Sequence, residues 1–71
     1  MSKTLTEQEK NVLQYLARGL VNSEIANSLH ISVHTVKAHL EAIYEKLSVR
    51  NRVQAVIKAV ILGLIDLNAL M

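Results

Sequence analysis

The sequence predicts an all-α fold, a bundle of four helices, and three observations carry that prediction. The chain has 71 residues, 51% of them hydrophobic, so it can form one domain with an aliphatic core but no long disordered segment. It contains no proline and only two glycines, which leaves little material for tight hairpin turns. Its apolar residues recur at the spacing of an α-helix in successive segments.

The first predicted helix begins at Thr6, which together with Glu9 has the spacing of a capping box. The apolar residues that follow share one helical face, namely Val12, Leu13 and Leu16. Gly19 is a residue typical of helix ends, so the helix is expected to stop at about Arg18.

A helix-turn-helix is predicted over about residues 22–41. Its first helix starts at Asn22, a good capping residue, and its apolar face comprises Ile25, Ala26 and Leu29. After a short turn, Ser32 caps the second helix, which is expected over about residues 33–47. Apolar residues recur in this helix at i, i+4, i+7, i+8 and i+11, and they are Val36, Leu40, Ile43, Tyr44 and Leu47. This is the strongest periodic signal in the chain.

A fourth helix is predicted from about Arg52 to Leu62, and it carries two apolar stripes. The larger stripe is expected to face the core and comprises Val53, Val56, Ile57, Val60, Ile61 and Leu64. The smaller stripe is expected to face water and comprises Ala55, Ala59 and Leu62. Because two alanines one turn apart let helices approach closely, the smaller stripe is predicted to be the contact of a homodimer. The alternative is that the apolar C-terminal tail, residues 66–71, folds back over this stripe within one chain.

The formal net charge of +2 is concentrated in the middle of the chain. Acidic and basic side chains cancel in residues 1–29 and again in residues 53–71. The segment between them holds all three histidines, together with Lys37, Lys46, Arg50 and Arg52 against Glu41 and Glu45. This pattern indicates either a surface for a polyanion or a solvated helix face with chance basicity.

Several classes of function are excluded by what the sequence lacks. There is no cysteine, and the pair His30 and His34 has no third ligand nearby, so no metal site is expected. No nucleophile with a base, no catalytic pair of carboxylates and no glycine-rich phosphate loop can be assembled, so we expect neither an enzyme nor a cofactor or small-molecule ligand. The longest apolar run, residues 59–65, is too short to span a membrane, and the N-terminus lacks a secretory signal. A cytoplasmic location is therefore expected.

The polar face of the third helix is the best candidate for a functional surface. Four of its residues project away from the buried stripe, namely His34, Lys37, Ala38 and Glu41. A rigid helix with such a face fits the major groove of DNA, which is about 12 Å wide. The outline alone is not specific, because any small helical bundle contains two helices and a turn.

The residues in and around this helix resemble the LuxR-type helix-turn-helix family of bacterial transcription regulators. The resemblance covers about residues 5–65, which we take as the domain, and its most specific part is the run ISVHTVKAHL at residues 31–40. The chain departs from the residues common in that family at Gln8, Asn11, Ser23 and Ser48, where arginine, glutamate, lysine and glycine respectively are frequent.

The resemblance implies that the chain binds double-stranded DNA, with contacts from Asn22, Ser23, His34, Thr35, Lys37, Ala38, His39, Glu41 and Lys46. Lys37 is expected to donate to guanine, the alternative being a solvated lysine. Thr35 either contacts a phosphate or completes the cap at Ser32, and His34 is expected to touch base edges or phosphate. Glu41 either accepts a hydrogen bond from cytosine N4 or repels phosphate.

The remaining contacts are expected at the DNA backbone. The hydroxyl of Ser23 can bond a phosphate although the lysine common in the family is absent, and His39 lies on the flank of the face. Lys46 can neutralise a phosphate beside the groove. Arg52 either does the same or forms a structural ion pair at the start of the fourth helix.

We therefore expect a sequence-specific regulator that binds inverted half-sites as a homodimer. A related alternative is the promoter-recognising region of a sigma factor, which contains a similar helix-turn-helix. A different class is a protein-interaction module that keeps the fold but binds another regulator, which the low net charge and the acidic Glu41 and Glu45 leave open. A salt-dependent shift of duplex DNA separates the DNA-binding alternatives from the protein-interaction module, which should show no dependence on salt.

Overall fold

Four α-helices make up the computed structural model of the chain, which describes residues 4–65 and 68. They are α1 (Glu7–Ala17), α2 (Asn22–Leu29), α3 (Val33–Leu47) and α4 (Arg52–Ile61). The described residues form no strand, so the all-α prediction is confirmed.

The predicted caps of α1 and α3 are confirmed by their hydrogen bonds. The Glu9 amide donates to Thr6 Oγ1 at 3.1 Å, and the Thr6 amide donates to Glu9 Oε1 at 2.9 Å, which completes a capping box. At the start of α3 the Thr35 amide donates to Ser32 Oγ at 3.0 Å. These bonds satisfy amides that the first turn of a helix leaves without a partner.

The predicted cap of α2 is wrong by one residue. Val21 precedes the helix with an extended backbone, and Asn22 is already helical. The Glu24 carboxylate accepts from the Val21 amide at 2.9 Å, so the acidic side chain in the first turn holds the chain at this end. A valine supplies no oxygen for a cap, which is why the sequence pointed to Asn22 instead.

Two helices end on a non-glycine residue in the left-handed region. His30 follows α2 and Ser48 follows α3, each with a φ of 57°. This conformation costs an ordinary residue about 1–2 kcal/mol relative to glycine. Ser48 stands where glycine is common in the family that the sequence resembles, so the chain retains the turn but with a strained residue.

The core lies where α3 crosses the other helices, since α3 contacts α1, α2 and α4. The apolar faces predicted for α1 and α3 are buried except that Tyr44 is half-buried against the core, and on α2 Leu29 is half-buried beside two buried residues. The buried apolar residues are Leu5, Val12, Leu13, Leu16, Ile25, Ala26, Val36, Leu40, Ile43, Leu47, Ala55, Ala59 and Ile65. These buried residues are all aliphatic, as the composition predicts, and Tyr15 and Tyr44 pack half-buried against them.

The faces predicted for α4 are wrong in part: Val56, Val60 and Leu64 pack half-buried against the core, but other residues of the predicted core stripe face water and the two alanines take their place. Ala55 and Ala59 are fully buried, whereas Ile57 is 54% and Ile61 75% exposed. Small alanines let the axis of α4 come close to the bundle, and the larger side chains are then turned outward. The prediction was wrong because both faces are apolar, so hydrophobicity alone favoured the face with the greater side-chain volume.

Arg52 fixes the rotation of α4 about its axis. Its Nη1 donates to the Leu20 carbonyl at 2.8 Å, and its Nη2 donates to Asn22 Oδ1 at 3.1 Å. Ala55 and Ala59 follow at i+3 and i+7, so the anchored side chain and the buried alanines lie on one helical face. The structural alternative for Arg52 is thereby favoured, with neutral oxygens as acceptors instead of an ion pair.

The chain after α4 returns towards α1 before the described region ends. Gln14 Nε2 donates to the Leu64 carbonyl at 3.1 Å, and Ile65 is buried in the core. The predicted apolar tail of residues 66–71 lies outside the described residues except for residue 68. Among the helices described, none is long and apolar enough to cross a membrane.

Candidate nucleic-acid interface

The outer face of α3, defined as His34, Lys37, Ala38 and Glu41, is exposed to solvent as predicted. The opposite side of the same helix is buried in the core through Val36, Leu40, Ile43 and Leu47. Buried side chains along four turns fix both the direction and the rotation of α3. The outer face is therefore presented as a row of side chains on a rigid helix.

Thr35 and His39 lie half-buried beside the outer face. Thr35 Oγ1 forms a hydrogen bond with Ser32 Oγ at 2.9 Å, and the Thr35 amide donates to the same serine oxygen. Thr35 is thus bonded to Ser32 through both its backbone amide, which forms the helix cap, and its side-chain hydroxyl. A hydroxyl oxygen can accept as well as donate, so this pair does not use up its capacity to bond a phosphate.

Lys46 forms an ion pair with a buried glutamate. Its Nζ lies 2.6 Å from Glu9 Oε1, a contact that joins the end of α3 to the start of α1. Burial of the Glu9 carboxyl raises its pKa, but the hydrogen bond from Lys46, the bonds to Thr6 and the charge of Lys46 outweigh that effect and lower the pKa. The positive charge of Lys46, which was expected to face the DNA backbone, is therefore offset by the carboxylate of Glu9.

At the start of α2, the two predicted contact residues differ in their surroundings. Ser23 is exposed, whereas Asn22 is half-buried and accepts from Arg52. The Asn22 side chain thus already has a structural partner that ties α2 to α4. Of the two, Ser23 is the one that is exposed to solvent.

The residues predicted to form the dimer contact are not brought together on the surface. Ala55 and Ala59 are inaccessible in the core, and only Leu62, 54% exposed, faces water as predicted. The apolar side chains that α4 does expose form the apolar α4 stripe, defined as Val53, Ile57 and Ile61. These follow at i, i+4 and i+8 and so form one continuous row.

Val33 is an exposed apolar residue of α3 that the sequence reading did not single out. It is the first residue of α3 and 38% of its surface is exposed. The available signal was its position four residues before Lys37, which places the two side chains on one helical face.

The charges near the outer face nearly balance. Lys37 is exposed, but so are the carboxylates of Glu41 and Glu45. The outer face of α3 therefore carries no strong positive field. Within the part of the chain that the structure describes, no group of three His, Cys, Asp or Glu side chains could hold a metal ion.

Comparison with known proteins gives consistent results. A family model described as "Bacterial regulatory proteins, luxR family" matches residues 3–59. The response regulator protein VraR of Staphylococcus aureus is 49% identical over 55 residues, which are 78% of this chain and 26% of VraR. The protein YhjB of Escherichia coli is 49% identical over 53 residues, which are 75% of this chain and 26% of YhjB. The chain thus spans about a quarter of the length of these curated relatives.

The fold has a solved counterpart as well. The structure of the transcription factor GerE is similar with a TM-score of 0.82 and 32% sequence identity. The likeness covers 93% of this chain and 97% of the GerE chain, so it includes the whole bundle and not the helix-turn-helix alone.

Proposed function

Since the chain belongs to the luxR family of bacterial regulatory proteins, we propose that it binds duplex DNA by placing the outer face of α3 in the major groove. The observation that carries this proposal is the exposure of four side chains on one side of a helix whose other side is held by the core. Because bacterial DNA lies in the cytoplasm, we place this function there.

Base recognition is assigned to the outer face of α3. The Lys37 ammonium donates to O6 and N7 of guanine, and the Glu41 carboxylate accepts from cytosine N4. Ala38 lies between them with a methyl group that suits the methyl of thymine. His34, near the start of the helix, reaches base edges or the adjoining phosphate.

Backbone contacts are assigned to the margins of α3 and to the start of α2. The exposed Ser23 hydroxyl, the Thr35 hydroxyl and His39 bond phosphates and fix the register of the protein on the duplex. Asn22 and Lys46 already hold intramolecular partners, so their contribution to binding is indirect: they keep α2 and α3 in place. This is a revision of the role expected for these two residues.

The apolar α4 stripe is assigned to a homodimer contact in place of the buried alanines. Three β-branched side chains in one row, flanked by the exposed Leu62, lose contact with water when a second copy covers them. A two-fold contact presents the same surface on both copies, and it places two α3 helices on inverted half-sites.

A protein-interaction module is the second candidate, and the near balance of charge on the outer face of α3 favours it. Glu41 and Glu45 repel phosphate, while the ion pair with Glu9 offsets the charge of Lys46. A module of this kind binds a folded partner and gains nothing from counterion release.

Selection from random duplexes followed by a salt titration tests the proposal. We expect an enriched sequence, and we expect log K for that duplex to fall linearly with log salt at about 0.9 for each phosphate neutralised. A scrambled duplex of the same length is the control and should bind more weakly at every salt concentration. No enrichment and no salt dependence would contradict DNA binding and favour the interaction module.

A further inference from the structure

An exposed valine at the start of α3 extends the proposed reading surface. Val33 is the first residue of the helix and is 38% exposed, so part of its apolar side chain is accessible to a ligand. We propose that Val33 is a specificity-determining residue that contacts the 5-methyl group of a thymine. This inference rests on the proposed function, since it requires α3 to lie in the major groove.

The position of Val33 places it over the bases. In a helix-turn-helix, the N-terminal residues of the second helix are those that meet base edges. Val33 and Lys37 are four residues apart, and side chains at that spacing begin about 5–6 Å from each other on one helical face. Successive bases along one strand rise by about 3.4 Å. Val33 therefore lies one or two base pairs from the base that Lys37 contacts.

The chemistry of valine selects the ligand. Its side chain has no hydrogen-bonding atom, and the thymine methyl is the apolar group that the major-groove edges offer. A phosphate placed against the two methyl groups of valine would lose bound water without gaining a hydrogen bond, which costs free energy. Of the groups within reach of the start of α3, the thymine methyl is thus the one that gains from contact with Val33.

The local structure holds the valine ready for this contact. Ser32 Oγ accepts from the Thr35 amide at 3.0 Å and bonds Thr35 Oγ1 at 2.9 Å, which fixes the first turn of α3. A β-branched side chain in a helix has one strongly preferred rotamer. Little side-chain entropy is therefore lost when Val33 meets a base.

Replacement of thymine by deoxyuridine tests the inference, because it removes the methyl group and leaves every hydrogen-bonding atom. Each thymine of the selected duplex is replaced in turn, and affinities of wild type and V33A are compared. For wild type we expect about a fourfold loss at the thymine that Val33 contacts, the value for one buried methyl-sized group, and a loss at a thymine contacted by Ala38 should be the same in V33A. The thymine that Val33 contacts should lie one or two base pairs from the position at which K37A loses discrimination.

The variant V33A should bind the thymine and deoxyuridine duplexes equally at that position. V21A is the matched control, because Val21 is another exposed valine outside α3 and should retain the difference. Melting of both variants checks that the fold is intact, which the exposure of both residues leads us to expect.

The outcomes distinguish this inference from the proposed function. If a duplex is selected but V33A and wild type lose equal affinity at every deoxyuridine, DNA binding stands and the role of Val33 is wrong. If wild type shows no loss at any thymine near the Lys37 position, the role of Val33 is also wrong. If no duplex is enriched at all, the proposed function fails and this inference fails with it.

Discussion

Lys46, which is predicted to contact the DNA backbone, also has a role in the fold, because it forms an ion pair with Glu9. Their charged atoms lie 2.6 Å apart although 37 positions separate the residues in the chain. The Glu9 side chain is nearly inaccessible, so removal of the lysine would leave a buried carboxylate without its charged partner. A substitution of Lys46 is therefore expected to weaken the fold before it changes recognition of DNA.

The ion pair makes stability depend on pH. Because the pKa of Glu9 is lower in the folded protein than its ordinary value of 4.5, its contribution is fully present above that value and is lost as the pH falls through the folded pKa. E9Q keeps a side chain that can cap α1 but removes the charge. We expect E9Q to cost about 1–3 kcal/mol at neutral pH and much less in acid.

Urea unfolding of wild type and E9Q from about pH 7 to about pH 3 measures this difference. E7Q is the control, since Glu7 is exposed on the first turn of the same helix. A difference in the free energy of unfolding between wild type and E9Q that stays constant with pH would contradict this role of the ion pair.

The carboxylate of Glu41, on the outer face of α3, has two possible effects on DNA, which are a hydrogen bond to a base or repulsion of phosphate. If its carboxylate accepts from cytosine N4, E41Q should change the preferred base at one position of the site. If it only repels phosphate, the same change should tighten every sequence by a similar factor. Affinities on a panel of base-substituted duplexes measure this, with E45Q as the control on the next turn of α3.

We expect a change of preference confined to one base pair for E41Q and none for E45Q. A uniform gain for E41Q on every duplex of the panel would exclude the cytosine contact. Because Glu41 is exposed, we expect E41Q to leave the stability of the fold unchanged.

At the scale of the helices, the sequence predicted most of the fold because three of the four helices have one clearly apolar face. The stripe from Val36 to Leu47 is buried as predicted apart from the half-buried Tyr44, and the cap at Ser32 is in place. In α4 both faces are apolar, so periodicity had no polar side from which to infer the rotation. The contact that sets it, from Arg52 to the Leu20 carbonyl, joins residues 32 positions apart and has no signature in local spacing.

The same limit applies to the candidate site. Exposure of Lys37 and Glu41 follows from helical spacing alone, and the sequence predicted it. The partners of Lys46 and Asn22 depend on how helices meet in three dimensions, so their structural roles were not predicted. Val33 was not singled out because it is apolar and lies one residue before the predicted face begins at His34.

The corrected faces of α4 give opposite expectations for two glutamate substitutions. A59E buries a charge in a core position with no space for it and should destabilise the protein by more than about 3 kcal/mol, which is most of the stability of a domain this small. I57E places the same side chain two residues earlier on the exposed face. It should leave the fold intact and abolish the dimer.

Circular dichroism melting and sedimentation at tens of micromolar protein measure these two effects. Wild type should sediment as a dimer and I57E as a folded monomer. A wild type that sediments as a monomer, or an I57E variant that remains a dimer, would show that the apolar α4 stripe is not the contact. A stable, folded A59E would contradict the assignment of Ala59 to the core.

For the whole molecule, size and symmetry constrain how two copies bind DNA. The bundle measures 33 × 28 × 20 Å, close to the pitch of one turn of duplex, about 34–36 Å. Two copies related by a two-fold axis through α4 can therefore lie on successive major grooves of one side of the duplex. The selected sequence should contain two inverted half-sites about one helical turn apart.

Insertion of base pairs between the half-sites tests that arrangement. About five added base pairs rotate one half-site to the opposite side of the duplex and should reduce the affinity to that of a single half-site. About ten added base pairs return the two half-sites to the same side of the duplex but increase the distance between them. The affinity should then recover only in part. Equal affinity at every spacing would mean that each copy binds independently.

The central claim is that the outer face of α3 reads bases, and Lys37 tests it most directly. Affinities of wild type and K37A are measured on duplexes in which each base pair of the selected half-site is replaced in turn, with K10A as the control on the exposed face of α1. We expect K37A to lose about 1–3 kcal/mol of binding free energy on the selected site and to lose discrimination at one guanine. K10A should keep the affinity and the discrimination of wild type. Discrimination by K37A equal to that of wild type at every position would contradict the claim.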